Sequence, residues 1–179
     1  MNRTLIGAAV LLMLSACFEA HTPLGPPGAI ARGSSFLGTW RCQTPTMASN
    51  EIMTITVLPF DEQQLLVELK ESVVLGDVEQ PSPADIERYR FYPSAIATQS
   101  GVQILWNAQE LGWREAAPTW VFVRIKQSGK SSLVAQIVQD SALRGKTERE
   151  KLSELRKRVS DEAIYGEAIT CKRIGDTLH

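Results

Sequence analysis

Short segments rich in β-branched and aromatic residues recur along most of this chain, and turn-forming residues separate them. In the first segment Phe36, Gly38, Trp40 and Cys42 alternate onto one face, which is the period of a half-buried strand. Further strand candidates lie at 52–58, 64–74, 102–107, 120–127, 133–139 and 168–174. The pattern predicts a mainly β domain with a short hairpin connection at 128–131.

One segment near the C-terminus has helical periodicity. Thr147 and Glu150 have the spacing of a capping box, and Leu152, Leu155 and Val159 then recur on one face. We therefore predict an amphipathic helix over 147–160, before the last strand. The segment 82–92 begins with a helix cap and a proline, but its later residues also alternate as a strand, so both assignments stay open.

The N-terminus is typical of an export signal. Arg3 supplies a positive charge, and the ten residues 5–14 carry no polar side chain before the small residues Ser15 and Ala16. A membrane-spanning helix needs roughly 20 apolar residues, so this stretch is too short to remain as an anchor. We predict that residues 1–16 are a signal peptide that is removed.

The end of this leader, Leu14-Ser15-Ala16-Cys17, resembles the lipobox of bacterial lipoproteins. The resemblance implies that Cys17 is lipidated and becomes the first residue of the mature protein, held to a membrane by its acyl chains. In such lipoproteins an aspartate directly after the lipidated cysteine favours retention in the inner membrane. Because Phe18 stands at this position, the resemblance implies that the protein lies on the periplasmic face of the outer membrane. An ordinary secretory peptide followed by a chance cysteine is the alternative.

The chain has three cysteines, and assigning Cys17 to lipid leaves Cys42 and Cys171 as a pair. In an oxidising periplasm this pair is expected to form a disulfide, with two separate buried thiols as the alternative. If the two cysteines face each other on antiparallel strands, counting two residues outward places Trp40 opposite Arg173. Arg173 is then expected to lie over the Trp40 ring as a cation–π pair.

Proline and glycine are frequent between the lipobox and the first strand. This composition predicts a flexible tether over 17–35, which would hold the domain some 20 Å from the membrane. The remaining residues, 36–179, suit a single domain with one core.

The Gly38-Thr39-Trp40 motif at the start of the first strand resembles the Gly-x-Trp motif of lipocalins. In that family the tryptophan closes the barrel floor beneath an arginine from a late strand, a role that Arg173 would fill here. A late helix followed by one more strand also fits the family order, although no Thr-Asp-Tyr motif is evident. The resemblance implies a single antiparallel β-barrel. The alternative is a different small barrel or a β-sandwich in which Trp40 is an ordinary core residue.

Catalytic and cofactor motifs are not evident. The two histidines, His21 and His179, lie in the predicted tether and at the C-terminus, which are poor places for a general base. We expect no enzyme activity, no cofactor and no metal site. The net charge of −1 gives no indication of a nucleic-acid partner.

Binding, in one of two forms, is the function class that best fits what remains. A lipocalin-like barrel would hold a small apolar ligand, with Trp106, Trp120 and Phe122 as candidate lining residues. Alternatively, a loop carrying Trp113 and Arg114 would bind a periplasmic protein, as an inhibitor of a lysozyme or as an immunity protein against a secreted toxin. A structural role in envelope assembly is a third possibility, separate from both forms of binding.

Overall fold

The computed structural model describes residues 17–28, 35–75, 78–81, 86–112 and 119–175. The predicted signal peptide, 1–16, lies outside these residues. The strands are β1 (Glu19–Ala20), β2 (Gly38–Gln43), β3 (Glu51–Pro59), β4 (Leu65–Leu75), β5 (Val78–Pro81), β6 (Glu87–Thr98), β7 (Gly101–Glu110), β8 (Trp120–Ser128), β9 (Ser132–Ile137) and β10 (Ile169–Gly175), and the α-helix is α1 (Glu148–Arg158). Neither α1 nor any other helix in the described part of the chain has the length and apolar character needed to span a bilayer.

Eight of these strands close into an antiparallel barrel. Each of β2, β3, β4, β6, β7, β8, β9 and β10 pairs with the next in this order, and β10 pairs back onto β2. The two remaining strands extend the wall, because β5 continues along β4 and β1 continues along β8. The predicted single antiparallel barrel with one helix before its last strand is confirmed, and the sandwich alternative is excluded.

The two ends of the barrel differ in their connections. The tight turns between β3 and β4, β6 and β7, and β8 and β9 lie at one end, which we call the lower end. The last of these is the predicted hairpin, in which Gly129 adopts a φ of 66° that favours glycine. The longer connections, including the one that contains α1, leave from the opposite, upper end.

The segment left open between helix and strand contains strand from Glu87 onward, and residues 82–85 lie outside the described part. Arg88 and Arg90 alternate with Tyr89 and Phe91, and β6 pairs with β4 and with β7. The residues from Glu87 onward are therefore a strand, as the alternation of their side chains predicts.

Apolar side chains form two separate cores. The inner core fills part of the barrel and includes Trp40, Val57 and Trp106. The outer core lies between α1 and the outer face of the wall, where Leu152 and Leu155 of the helix pack with Phe122. Because side chains on a strand alternate between faces, one barrel wall serves both cores.

Helix α1 begins as its sequence predicts. The hydroxyl of Thr147 accepts a hydrogen bond from the backbone N–H of Glu150 at 3.3 Å, and the Glu150 carboxylate accepts one from the backbone N–H of Thr147 at 3.1 Å. These bonds satisfy N–H groups that have no partner within the helix. The apolar stripe predicted for this helix is buried against the barrel.

Residues 17–28, which we call the N-terminal strap, pack on the barrel wall. β1 pairs with β8, and Phe18 is only 2 % exposed. The backbone N–H of Leu24 donates to the side-chain oxygen of Asn107 at 2.8 Å, and that of Gly28 donates to the carbonyl of Pro93 at 2.8 Å. The strap also contacts α1, because Arg156 donates to the carbonyl of Leu24 at 2.7 Å.

The prediction of a flexible tether over 17–35 is wrong for residues 17–28, which pack on the barrel wall. Phe18, Ala20 and Leu24 supply apolar side chains that join the outer core, so these residues gain more by packing than by remaining solvated. Residues 29–34 of the predicted tether lie outside the described part of the chain.

Candidate ligand cavity

The lower part of the barrel is closed by the pair that the cysteine register predicts. Cys42 and Cys171 form a disulfide and lie directly opposite each other, and Trp40 lies opposite Arg173. The guanidinium carbon of Arg173 is 4.7 Å from the centroid of the Trp40 ring, and Arg173 also donates to the carbonyl of Ser35. Both the disulfide and the cation–π pair are therefore confirmed.

Above this pair the barrel encloses a cavity of about 220 Å³. This volume exceeds the roughly 150 Å³ that holds a benzene-sized molecule, although it is below the roughly 300–1,000 Å³ of drug-sized sites. Most of the wall is aliphatic, as with Val57, Leu65, Val123 and Ile137. The barrel interior is therefore not completely filled by side chains, and the remaining space suits a small or narrow apolar group.

Of the three aromatic residues predicted to line the interior, only Trp106 does so. Its side chain contributes to the cavity wall and meets Phe36 edge-on, with 5.2 Å between ring centroids. Trp120 and Phe122 belong to the outer core, so their predicted role is wrong. The reason is register: Trp106 pairs with Val123, which places Phe122 on the opposite face.

Acidic side chains collect at the upper end of the cavity. Glu51 begins β3, Glu71 lies near the end of β4 and Glu87 begins β6, and all three line the cavity. The hydroxyl of Tyr89 donates to the Glu87 carboxylate at 2.7 Å. Burial and the contact with Glu87 hold the pKa of Tyr89 well above its usual range, so the phenol keeps its proton.

Glu71 is the least satisfied of these groups. Its Oε1 atom is buried and has no hydrogen-bond partner in the described part of the chain. Burial, with the neighbouring charges of Glu87 and Glu51, raises the pKa of the Glu71 carboxyl. A buried carboxylate oxygen without a partner is unfavourable, so this end of the cavity is suited to a group that donates hydrogen bonds or carries positive charge.

These three carboxylates were not among the site residues predicted from the sequence. A signal was present, because Leu65, Val67, Leu69 and Glu71 share one face of β4, where an acid interrupts an otherwise apolar face. An ionisable residue on the core face of a strand is an unusual observation that points to function or to a paired charge.

Among the described residues, no group of three or more His, Cys, Asp or Glu side chains is arranged to hold a metal ion. Trp113 and Arg114, the predicted partner-binding residues, lie outside the described part. No protein-family model, curated protein or solved structure matches this chain. The barrel and its cavity are therefore the features that bear on function.

Proposed function

We propose that this protein is a membrane-anchored periplasmic lipoprotein that binds a small, largely apolar ligand inside its barrel. The observation that carries the proposal is the open apolar cavity above the Trp40–Arg173 pair. Removing apolar ligand surface from water contributes about 0.8 kcal/mol to the binding free energy for each methylene group buried. The closed wall gives such a ligand a preformed site, which lowers the entropic cost of binding.

The lipobox at Leu14–Cys17 supports the anchoring part of the proposal. In the folded chain Cys17 is only 6 % exposed, and burial with the nearby Glu19 raises the pKa of its thiol to about 11. At neutral pH only about one thiol in ten thousand would then be the nucleophilic thiolate. We therefore expect lipid attachment at Cys17 to precede docking of the strap.

Ligand binding is tested with the mature chain, residues 17–179, carrying Cys17→Ser. N-phenyl-1-naphthylamine, a neutral apolar probe that brightens out of water, is expected to bind with saturation. Ala108→Leu, which fills space at the cavity wall, is expected to weaken binding about tenfold by displacing two or more methylene-sized contacts. Ala95→Leu on the exposed part of β6 is the matched control and should leave affinity unchanged. No saturable binding, or equal affinity in both variants, would refute a ligand site in the barrel.

Anchoring is tested in a diderm bacterial host that expresses the full chain. The wild-type protein should incorporate labelled palmitate and sediment with outer-membrane fractions. Cys17→Ser should lose the label and leave the membrane, whereas Cys171→Ser, a cysteine outside the lipobox, should keep the label. Label retained by Cys17→Ser would contradict the assignment.

A further inference from the structure

We propose that the ligand of this cavity carries a positively charged amine at one end of an apolar body, and that Glu51, Glu71 and Glu87 receive the amine at the upper end. This inference rests on the proposed function, because it names the chemical class of the ligand for the same cavity.

The charge of the cavity lining is one-sided. Three of its residues are acidic, and none of the described lining residues is lysine, arginine or histidine. Glu51 accepts a hydrogen bond from the backbone N–H of Ala48 at 2.9 Å, and Glu87 accepts one from Tyr89, but neither donor is a cation. With no cation in the lining, an approaching positive charge is attracted and an approaching negative charge is repelled.

Acids on the outer face of the same wall are arranged differently. Glu68, three residues before Glu71 on β4, forms an ion pair with Arg88 at 2.7 Å. Glu79 on β5 lies 4.0 Å from Arg41. The chain therefore supplies basic partners to nearby acids outside the barrel, whereas the acids at the cavity have none among the described lining residues.

The buried Oε1 of Glu71 provides a specific acceptor for the amine. A primary ammonium has three N–H donors, enough to bond this oxygen and share the remaining donors with neighbouring carboxylates. Such charge-assisted bonds are stronger than neutral ones, particularly where water is excluded. Burial of the Glu71 oxygen without a partner is unfavourable, and a bound ammonium would supply that partner.

The rest of the cavity decides what kind of cation fits. The three carboxylates are not arranged as a metal site, and the space below them is walled by aliphatic side chains. A small hydrated ion would leave this apolar space without a partner. An amine joined to a hydrocarbon fills both regions, with its charge at the upper end and its chain above Trp106.

The test compares three ligands of equal chain length: octylammonium, 1-octanol and octanoate. Each displaces N-phenyl-1-naphthylamine from the mature chain at neutral pH and low ionic strength. We expect octylammonium to bind about tenfold more tightly than octanol, as charge-assisted hydrogen bonds allow, and octanoate to bind most weakly. Glu71→Gln should remove most of the advantage of octylammonium and leave octanol unaffected. Glu68→Gln, on the opposite face of β4, is the matched control and should retain the advantage.

The possible outcomes separate this inference from the proposed function. Equal affinity for octylammonium and octanol, or tighter binding of octanoate, overturns the amine assignment while ligand binding in the barrel stands. An unchanged preference in Glu71→Gln also overturns the role of that carboxylate. If the probe shows no saturable binding, the proposed function itself fails. Thermal unfolding of each variant confirms that it is folded under the assay conditions.

Discussion

Replacing Cys42 and Cys171 together with alanine is expected to lower the free energy of unfolding by about 5 kcal/mol. The disulfide joins residues 129 apart in the chain, and the entropy that such a link removes from the unfolded state gives this magnitude. For a domain of this size, each kcal/mol lowers the melting temperature by roughly 2–4 °C, so a decrease of roughly 10–20 °C is expected.

The assay is thermal unfolding followed by circular dichroism, using the mature chain with Cys17→Ser in every sample. Reducing the disulfide without any substitution should lower the melting temperature by a similar amount, because the chain entropy is the common cause. The double alanine variant should not respond to the reductant. A variant that melts within about 2 °C of the disulfide-bonded protein would refute the argument that this link restricts the unfolded chain.

Three further substitutions test individual contacts. Arg173→Met, which removes the cation–π contact with Trp40, should lower the free energy of unfolding by about 1–2 kcal/mol in urea titrations, and no change would contradict a closing role. Asn107→Ala should lower the free energy of unfolding by about 1–3 kcal/mol, because it leaves the buried N–H of Leu24 without an acceptor. The same substitution should make the strap more sensitive to protease, and equal cleavage rates would count against the contact. For Glu71 the folded-state pKa is raised, so the folded protein binds more protons than the unfolded chain and its stability falls as pH rises through that pKa. Glu71→Gln should therefore gain more stability over wild type at about pH 7.5 than at about pH 4, measured by urea midpoints; an equal gain at both would refute the shift.

Local patterns in the sequence were sufficient to predict much of the barrel. Alternation in 52–58 and 120–127 corresponds to β3 and β8 within two residues at each end. The cysteine pair predicts the register between β2 and β10, since two strands that share one covalent link and antiparallel direction have no other register in which both cysteines face each other. These features depend on few residues and on local geometry.

Features that depend on distant residues were predicted less well. Whether Trp106 or Phe122 faces the cavity is set by the register between β7 and β8, to which the sequence gives no direct clue. The strap has the proline and glycine content of a linker. It docks because the buried Asn107 accepts a hydrogen bond from Leu24 and because Phe18 and Ala20 join the outer core. Glu71 is recognisable as a single acid on an apolar face only after the two faces of its strand are assigned.

The strap also determines how freely the barrel would move at a membrane. If Cys17 carries lipid as proposed, the anchored residue is itself bridged to Gln139, and the next residues are bonded to the wall and to α1. Such an attachment would hold the lipidated residue directly against the barrel, with no flexible segment between them. The height and tilt of the cavity above the bilayer would then be set by the protein surface, and ligand exchange would take place at one fixed distance from the membrane.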